Sequence, residues 1–334
     1  MSTKKKTAPG TGNILDNIMK YFSFSAIIIL LLGLSLTQEN FLGEINLKNL
    51  LRDTAPLMIM SAGMTMVLLF GSIDLSMGAV CSVANVTFVH FMLAYGESFA
   101  SPMLAGLAAL AISLLFGLAS GLALGLIHVK LKVPSFIASL GFMSVWQSVA
   151  LLITQGPESL KKSLWPATDW YKISFGVVGL PLVLALIVII LVYLLTRFTA
   201  FGKAIFAIGG NERASRMAGI HVDRTKIMVF ALNGVLAALA GVFLAANLRS
   251  SAPTIGDPFT LKIVAACALG GTSLAGGKGS ELGTILGVFT VALIENGMNF
   301  IGVDAYWQNV VFGIFVLAAI ALTVDRRTRG LIIK

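Results

Sequence analysis

Apolar stretches of about 17–25 residues, nearly free of charge, follow one another along this chain and constrain it more than any other feature. An α-helix needs about 20 apolar residues to cross a hydrocarbon layer about 30 Å thick. Inside that layer the backbone must bond to itself, so a succession of such segments predicts an all-α polytopic membrane protein. Ten segments qualify: 20–37, 54–71, 77–95, 102–127, 134–154, 174–196, 227–247, 261–275, 281–301 and 306–324. They leave a polar tail over 1–19, a transmembrane domain over 20–324 and a second tail over 325–334. The composition, 57% apolar and 12% charged with a mean hydropathy of +0.91, excludes a water-soluble domain. The first run follows a basic, polar N-terminus without a small-residue cleavage site and reads as a span, not a leader. The eighth differs from the rest: Ile263–Leu269 is uninterrupted, but Gly270 to Gly277 follow, as in a broken helix tolerated only where protein buries it.

The net charge of +9 does not point to nucleic acid, because the basic residues lie in short clusters between apolar runs and not on a basic, aromatic-interleaved domain. They report topology. With the N-terminus in the cytoplasm, seventeen of the 24 Lys and Arg fall on that side, and the other seven lie opposite beside most of the acids. An even number of spans then places both termini in the cytoplasm. Spans two to five and seven to ten stand five apart in order, which gives the two sets opposite orientations, as in an inverted repeat.

Nothing in the chain forms a catalytic set. His90, His128 and His221 lie apart from one another without an evident nucleophile or base. Cys81 and Cys267 fall within apolar segments, where a thiol behaves as a small hydrophobe. Thr272 to Gly279 approaches the phosphate-binding pattern G-x-x-x-x-G-K-[ST], yet Thr272 replaces the first glycine, Gly279 replaces the hydroxyl, and no strand precedes it. The chain therefore reads as a transport protein and not an enzyme, with no cofactor or metal of its own. If ATP drives it, another subunit must hydrolyse the ATP.

The longest basic connection, 197–226, carries a short helix. Asn211 after Gly209 and Gly210 is suited to the N-cap, Glu212 to the positive end of the helix dipole, Arg216 to the last turn and Gly219 to the residue just past the helix. Ala214, Met217 and Ala218 are spaced i, i+3, i+4 and form an apolar stripe, with Glu212, Arg213 and Arg216 on the other side. Such a helix either lies on lipid headgroups or docks on a cytosolic partner.

Ala207-Ile208-Gly209-Gly210-Asn211-Glu212-Arg213-Ala214-Ser215-Arg216-Met217-Ala218-Gly219-Ile220 strongly resembles the coupling loop of ribose-type monosaccharide ABC transporter permeases, within the branched-chain amino acid/monosaccharide permease superfamily. Ser72 to Gly78, Val133 to Gly141, Leu269 to Gly279 and Glu295 to Val303 agree in the same order, so the resemblance covers about residues 40 to 325. It implies a type II ABC importer-like fold in a bacterial inner membrane, a second permease subunit, two cytosolic ATPases that bind ATP and Mg, and an external sugar-binding protein. Asn211, Glu212, Ala214, Arg216, Met217 and Gly219 would couple to the ATPase. Three positions depart from the family: Arg213-Ala214-Ser215 stands for the usual Glu-Ala-Ala, Thr260-Leu261-Lys262 for Glu-Leu-Asp, and Ser72 for Gly. Lys262 thereby becomes a candidate contact near the outer mouth, to the solute or its binding protein.

Glu295, with Asn296 and Asn299 nearby, lies about two-thirds along the ninth span, where an ionisable group needs a partner or water. It reads either as an interhelical contact or as part of the solute path. Asp74 has the same two readings, with a cap on the third helix favoured and Ser76 expected to share the exposed amides. An ion-coupled secondary transporter is the rival function, and it would want several intramembrane carboxylates where this chain offers mainly Glu295.

Overall fold

The structure, a computed structural model, describes residues 25, 27–304 and 306–314, which are mostly helical. The helices are α1 (Ile27–Thr37), α2 (Glu44–Leu69), α3 (Met77–Tyr95), α4 (Pro102–Lys130), α5 (Ser135–Ile153), α6 (Leu180–Phe198), α7 (Ala200–Gly210), α8 (Glu212–Met217), α9 (Val222–Leu248), α10 (Phe259–Leu269) and α11 (Glu281–Ile301). Residues 306–314 form α12. Among the described residues, six helical stretches are long and apolar enough to cross a membrane: Met77–Ser98, Pro102–Lys130, Ser135–Ile153, Leu180–Phe198, Val222–Leu248 and Glu281–Ile301. The expected spans 20–37 and 306–324 lie partly outside the described residues, and the tails 1–19 and 325–334 wholly so.

Three expected boundaries are corrected. The second segment begins at Glu44 and not at 54: the helix runs on through a charged stretch that hydropathy reads as an end, with Glu44 in its first turn where the helix dipole favours an acid. The sixth begins at Leu180 and not at 174: residues Ser174–Phe175 and Val178–Gly179 form an antiparallel hairpin (β1 and β2), and Pro181 suits the first helical turn that follows. The basic connection 197–226 is helical over most of its length, with α7 and α8 inside it and α9 already under way at Val222. Helix α10, by contrast, has the broken form read from its glycines. Its 11 residues rise only about 16 Å, after which the chain turns at Gly270 and Gly271.

The core forms around α2 and α9. Every residue from Thr54 to Phe70 is buried, so this half of α2 has no exposed face. Helix α9 packs on α4, α3 and α2. Its contact with α4 brings backbones together: a Cβ on Gly234 would stand 2.1 Å from the Gly117 carbonyl oxygen, the small-residue packing by which helices associate where water supplies no driving force. Pro56 interrupts α2 and has no N–H for the Arg52 carbonyl one turn back. The Tyr171 hydroxyl takes that place, donating to the Arg52 oxygen at 3.4 Å.

Candidate functional site

Two places on this bundle combine polar chemistry with accessibility, one at each end of α9. At its N-terminal end stands α8. Asn211 is extended, and its side-chain oxygen accepts from the Ala214 amide at 2.9 Å, which starts the helix. Gly219 ends it with φ +83, a conformation that a side chain disfavours. The Ile220 amide reaches back to the Ser215 carbonyl at 3.1 Å, closing the turn.

Ion pairs fix this helix to α9. Glu212 binds Lys226 at 2.7 Å and Arg216 at 3.2 Å, and Arg216 also binds Asp223 at 2.7 Å. Burial pushes the Glu212 carboxyl upward, but the Lys226 and Arg216 contacts outweigh it and hold the group below the ordinary carboxylate range. Glu212 and Arg216 are therefore drawn toward α9, while Ala214, Met217 and Ala218 face outward, Met217 with 84% of its surface exposed. The Glu212–Arg216 pair is visible in the sequence as an i, i+4 spacing. Lys226 and Asp223 as its partners are not, since α9 carries them.

Four of the five family-like motifs converge at this same end, and Glu295 to Val303 lies at the other. Gly209, last but one in α7, lies so close to α2 that a Cβ there would stand 1.9 Å from the Leu69 carbonyl oxygen. The Gly277 amide donates to that same oxygen at 2.8 Å. In the break between α2 and α3, Ser135 and Ser139 of α5 accept from the Ile73 and Leu75 amides. Asp74 is buried and accepts from the Ser76 amide and hydroxyl and from Asn233 of α9 at 2.8 Å. Asp74 thus caps the amide ahead of α3. Ser76 does not share that task, because its hydroxyl donates to Asp74.

The other end holds a cavity of about 510 Å³ between the first half of α2, the last turn of α9, the start of α10 and the last turns of α11. From Lys226 to Leu244 along α9 the two places stand roughly 30 Å apart. Arg52, Asp53, Asn247, Phe259, Glu295, Asn296 and Asn299 are in the cavity wall. Asp53 accepts from Arg52 at 3.1 Å and from Asn247 at 3.4 Å. Asn296 exchanges two amide hydrogen bonds with Asn46, at 3.0 and 2.9 Å, and Asn299 accepts from Gln308 at 2.7 Å.

Glu295 is paired with Lys262 at 2.5 Å. The Lys262 side chain is 11% exposed and lies 5.6 and 5.5 Å from the ring centres of Phe259 and Phe312, behind the cavity wall and not in it. The sequence marked Glu295, Asn296 and Asn299 but missed Arg52, Asp53 and Asn247, whose polar groups sit at predicted helix ends and read there as interfacial.

A protein-family model described as the permease component of the branched-chain amino acid transport system matches residues 46–320. The chain belongs to that family. It is 36% identical over 314 residues to the ribose import permease protein RbsC of Bacillus subtilis (strain 168), covering 93% of this chain and 94% of that one. RbsC of Escherichia coli (strain K12) is 35% identical over 307 residues, 91% and 93% of the two chains. The xylose transport system permease protein XylH of the same strain is 31% identical over 365 residues, 91% of each. As a member of this permease family the chain is a transporter component, and its membrane-spanning helices suit that role.

Proposed function

We propose that this chain is the permease subunit of an ATP-binding cassette importer that moves a monosaccharide, ribose-like or a related small sugar or polyol, by alternating access across a bacterial inner membrane. The observation that carries the reading is the pairing of an exposed apolar helix, anchored by ion pairs at one end of α9, with a polar cavity at the other. The relatives named for ribose import and xylose transport support the solute class. In this reading α8 docks in a groove on a cytosolic ATPase, which binds ATP and Mg. Ala214, Met217 and Ala218 are the seat, and Asn211 and Gly219 shape the helix. Glu212 and Arg216 pass its movement to α9.

The finer organisation follows the same reading: ten spans forming an inverted repeat, both termini cytoplasmic, a second permease subunit identical or homologous, surrounding lipid, and an external sugar-binding protein at the cavity end. Asp74 is assigned to structure, since its oxygens are committed to Ser76 and Asn233. Proteoliposomes containing the permease, its ATPase and a loaded binding protein should take up ribose or xylose only when ATP is present on the α8 side. Uptake driven by an ion gradient without the ATPase would replace this reading with the ion-coupled transporter.

A further inference from the structure

The cavity at the α2–α9–α11 end has a distribution of polar groups that the permease role alone does not require. Its volume of about 510 Å³ falls within the roughly 300–1,000 Å³ of small-molecule sites. Arg52, Asp53 and Glu295 are in the wall and Lys262 is directly behind it, two cations with two anions. The polar groups divide into two kinds. Asn296 is committed to Asn46, and the Asn299 carbonyl to Gln308. Asp53, in contrast, uses one carboxylate oxygen for both Arg52 and Asn247. Its second oxygen, the Asn247 carbonyl, the second Glu295 oxygen and the terminal Arg52 nitrogens have no partner among the described residues.

Donors and acceptors therefore both line the cavity, and the charges of its wall and of Lys262 behind it balance. A vicinal diol matches such a wall, because each hydroxyl both donates and accepts. An anion would meet the carboxylates of Asp53 and Glu295, and a cation would meet Arg52. We infer that the cavity is a solute-binding site within this subunit for an uncharged polyhydroxylated molecule, held by Asp53, Asn247 and Arg52. Lys262 acts as a positioning residue: lying beside Phe259 and Phe312, it fixes one Glu295 oxygen and leaves the second available to the cavity. The site deepens the monosaccharide reading and rests on it. It places part of the solute selection in the permease and not only in an external binding protein.

The test uses the whole importer in proteoliposomes at saturating sugar-loaded binding protein, with uptake and ATP hydrolysis measured separately. The sugar is ribose, or xylose if ribose is not carried. Asp53→Asn combined with Asn247→Leu should lower sugar moved per ATP hydrolysed about tenfold, the loss of roughly one charge-assisted hydrogen bond, while hydrolysis stays as in the wild type. Lys262→Gln should lower the same ratio and Lys262→Arg should restore it. An unchanged ratio in the double variant, with the wild type active, would overturn the site and leave the importer reading intact. Parallel loss of uptake and hydrolysis would also overturn it, as the sign of a purely structural role. A wild-type importer that carries neither sugar would remove both readings.

Discussion

Removing either partner of the Lys262–Glu295 pair should destabilise the protein unequally, and removing both should restore most of the loss. The asymmetry comes from burial. Lys262 is 11% exposed and lies beside the rings of Phe259 and Phe312, whereas Glu295 is 33% exposed and faces the cavity. Losing one partner of a fully buried pair costs about 3–5 kcal/mol, because the other charge is left without compensation, while exposed pairs contribute about 0–1 kcal/mol. Glu295→Met strands a covered ammonium and should cost about 2–3 kcal/mol, less than the full amount because cation–π contacts with Phe259 and Phe312 remain. Lys262→Met strands a carboxylate that water in the cavity reaches, and about 1–2 kcal/mol should follow. The double Met variant has no stranded charge and should lie within about 1 kcal/mol of the wild type.

The protein carries its own reporter for this cycle. Cys81 and Cys267 are both buried, so a fluorogenic maleimide reacts only as the fold opens. At about 2 °C per kcal/mol, Glu295→Met should melt roughly 4–6 °C lower and Lys262→Met roughly 2–4 °C lower. Because such melts are irreversible, all variants must be scanned at one rate. Additive losses, with the double variant melting lowest, would refute the argument and show that packing and not charge compensation holds this wall.

Other outcomes follow from the α8 end. Met217→Asp should place a charge on the exposed stripe and reduce binding-protein-stimulated ATP hydrolysis without loss of membrane insertion, checked by copurification of the ATPase. Asn211→Ala should cost about 1 kcal/mol of local helix stability, seen as faster hydrogen exchange at the Ala214 amide that it caps. Because Glu212 titrates below its ordinary 4.5 in the fold, its contribution is present above that value and is lost as pH falls through the lowered one. Exchange in α8 should therefore rise below about pH 4.5 in the wild type and show less pH dependence in Glu212→Gln. Gly209→Val should abolish the folded protein on size exclusion, since its first side-chain carbon would overlap the Leu69 carbonyl. For topology, cysteine at Ser215 is a poor probe because that residue is buried against its own helix. A cysteine at Met217 should be shielded from outside reagents in intact cells while one at Ser159 reacts.

Much of the fold is legible in the sequence because lipid imposes one requirement that a single segment must meet by itself. Apolar length alone located α3, α5 and α11 nearly residue by residue and α4 and α9 to within three and five residues at one end, and the glycines after Leu269 showed that α10 would stop short. The local chemistry of α8 was legible for a similar reason: a cap, a dipole-suited acid and a glycine with positive φ all act within a few residues. The charged start of α2 was not, since helix continuity there depends on neighbours that hydropathy does not weigh.

Which groups meet was decided only by the tertiary structure. Thirty-three residues separate Lys262 from Glu295 and 194 separate Asp53 from Asn247, distances over which no local pattern fixes a pairing. A lysine at 262, where the family resemblance led one to expect an acid, signalled a change of charge, but not that its ammonium would turn inward to a carboxylate beside two rings. The sequence determined which segments must be helical, because each backbone must satisfy itself in lipid. Their packing determined the cavity and its charge balance, because these depend on which faces of α2, α9, α10 and α11 come together.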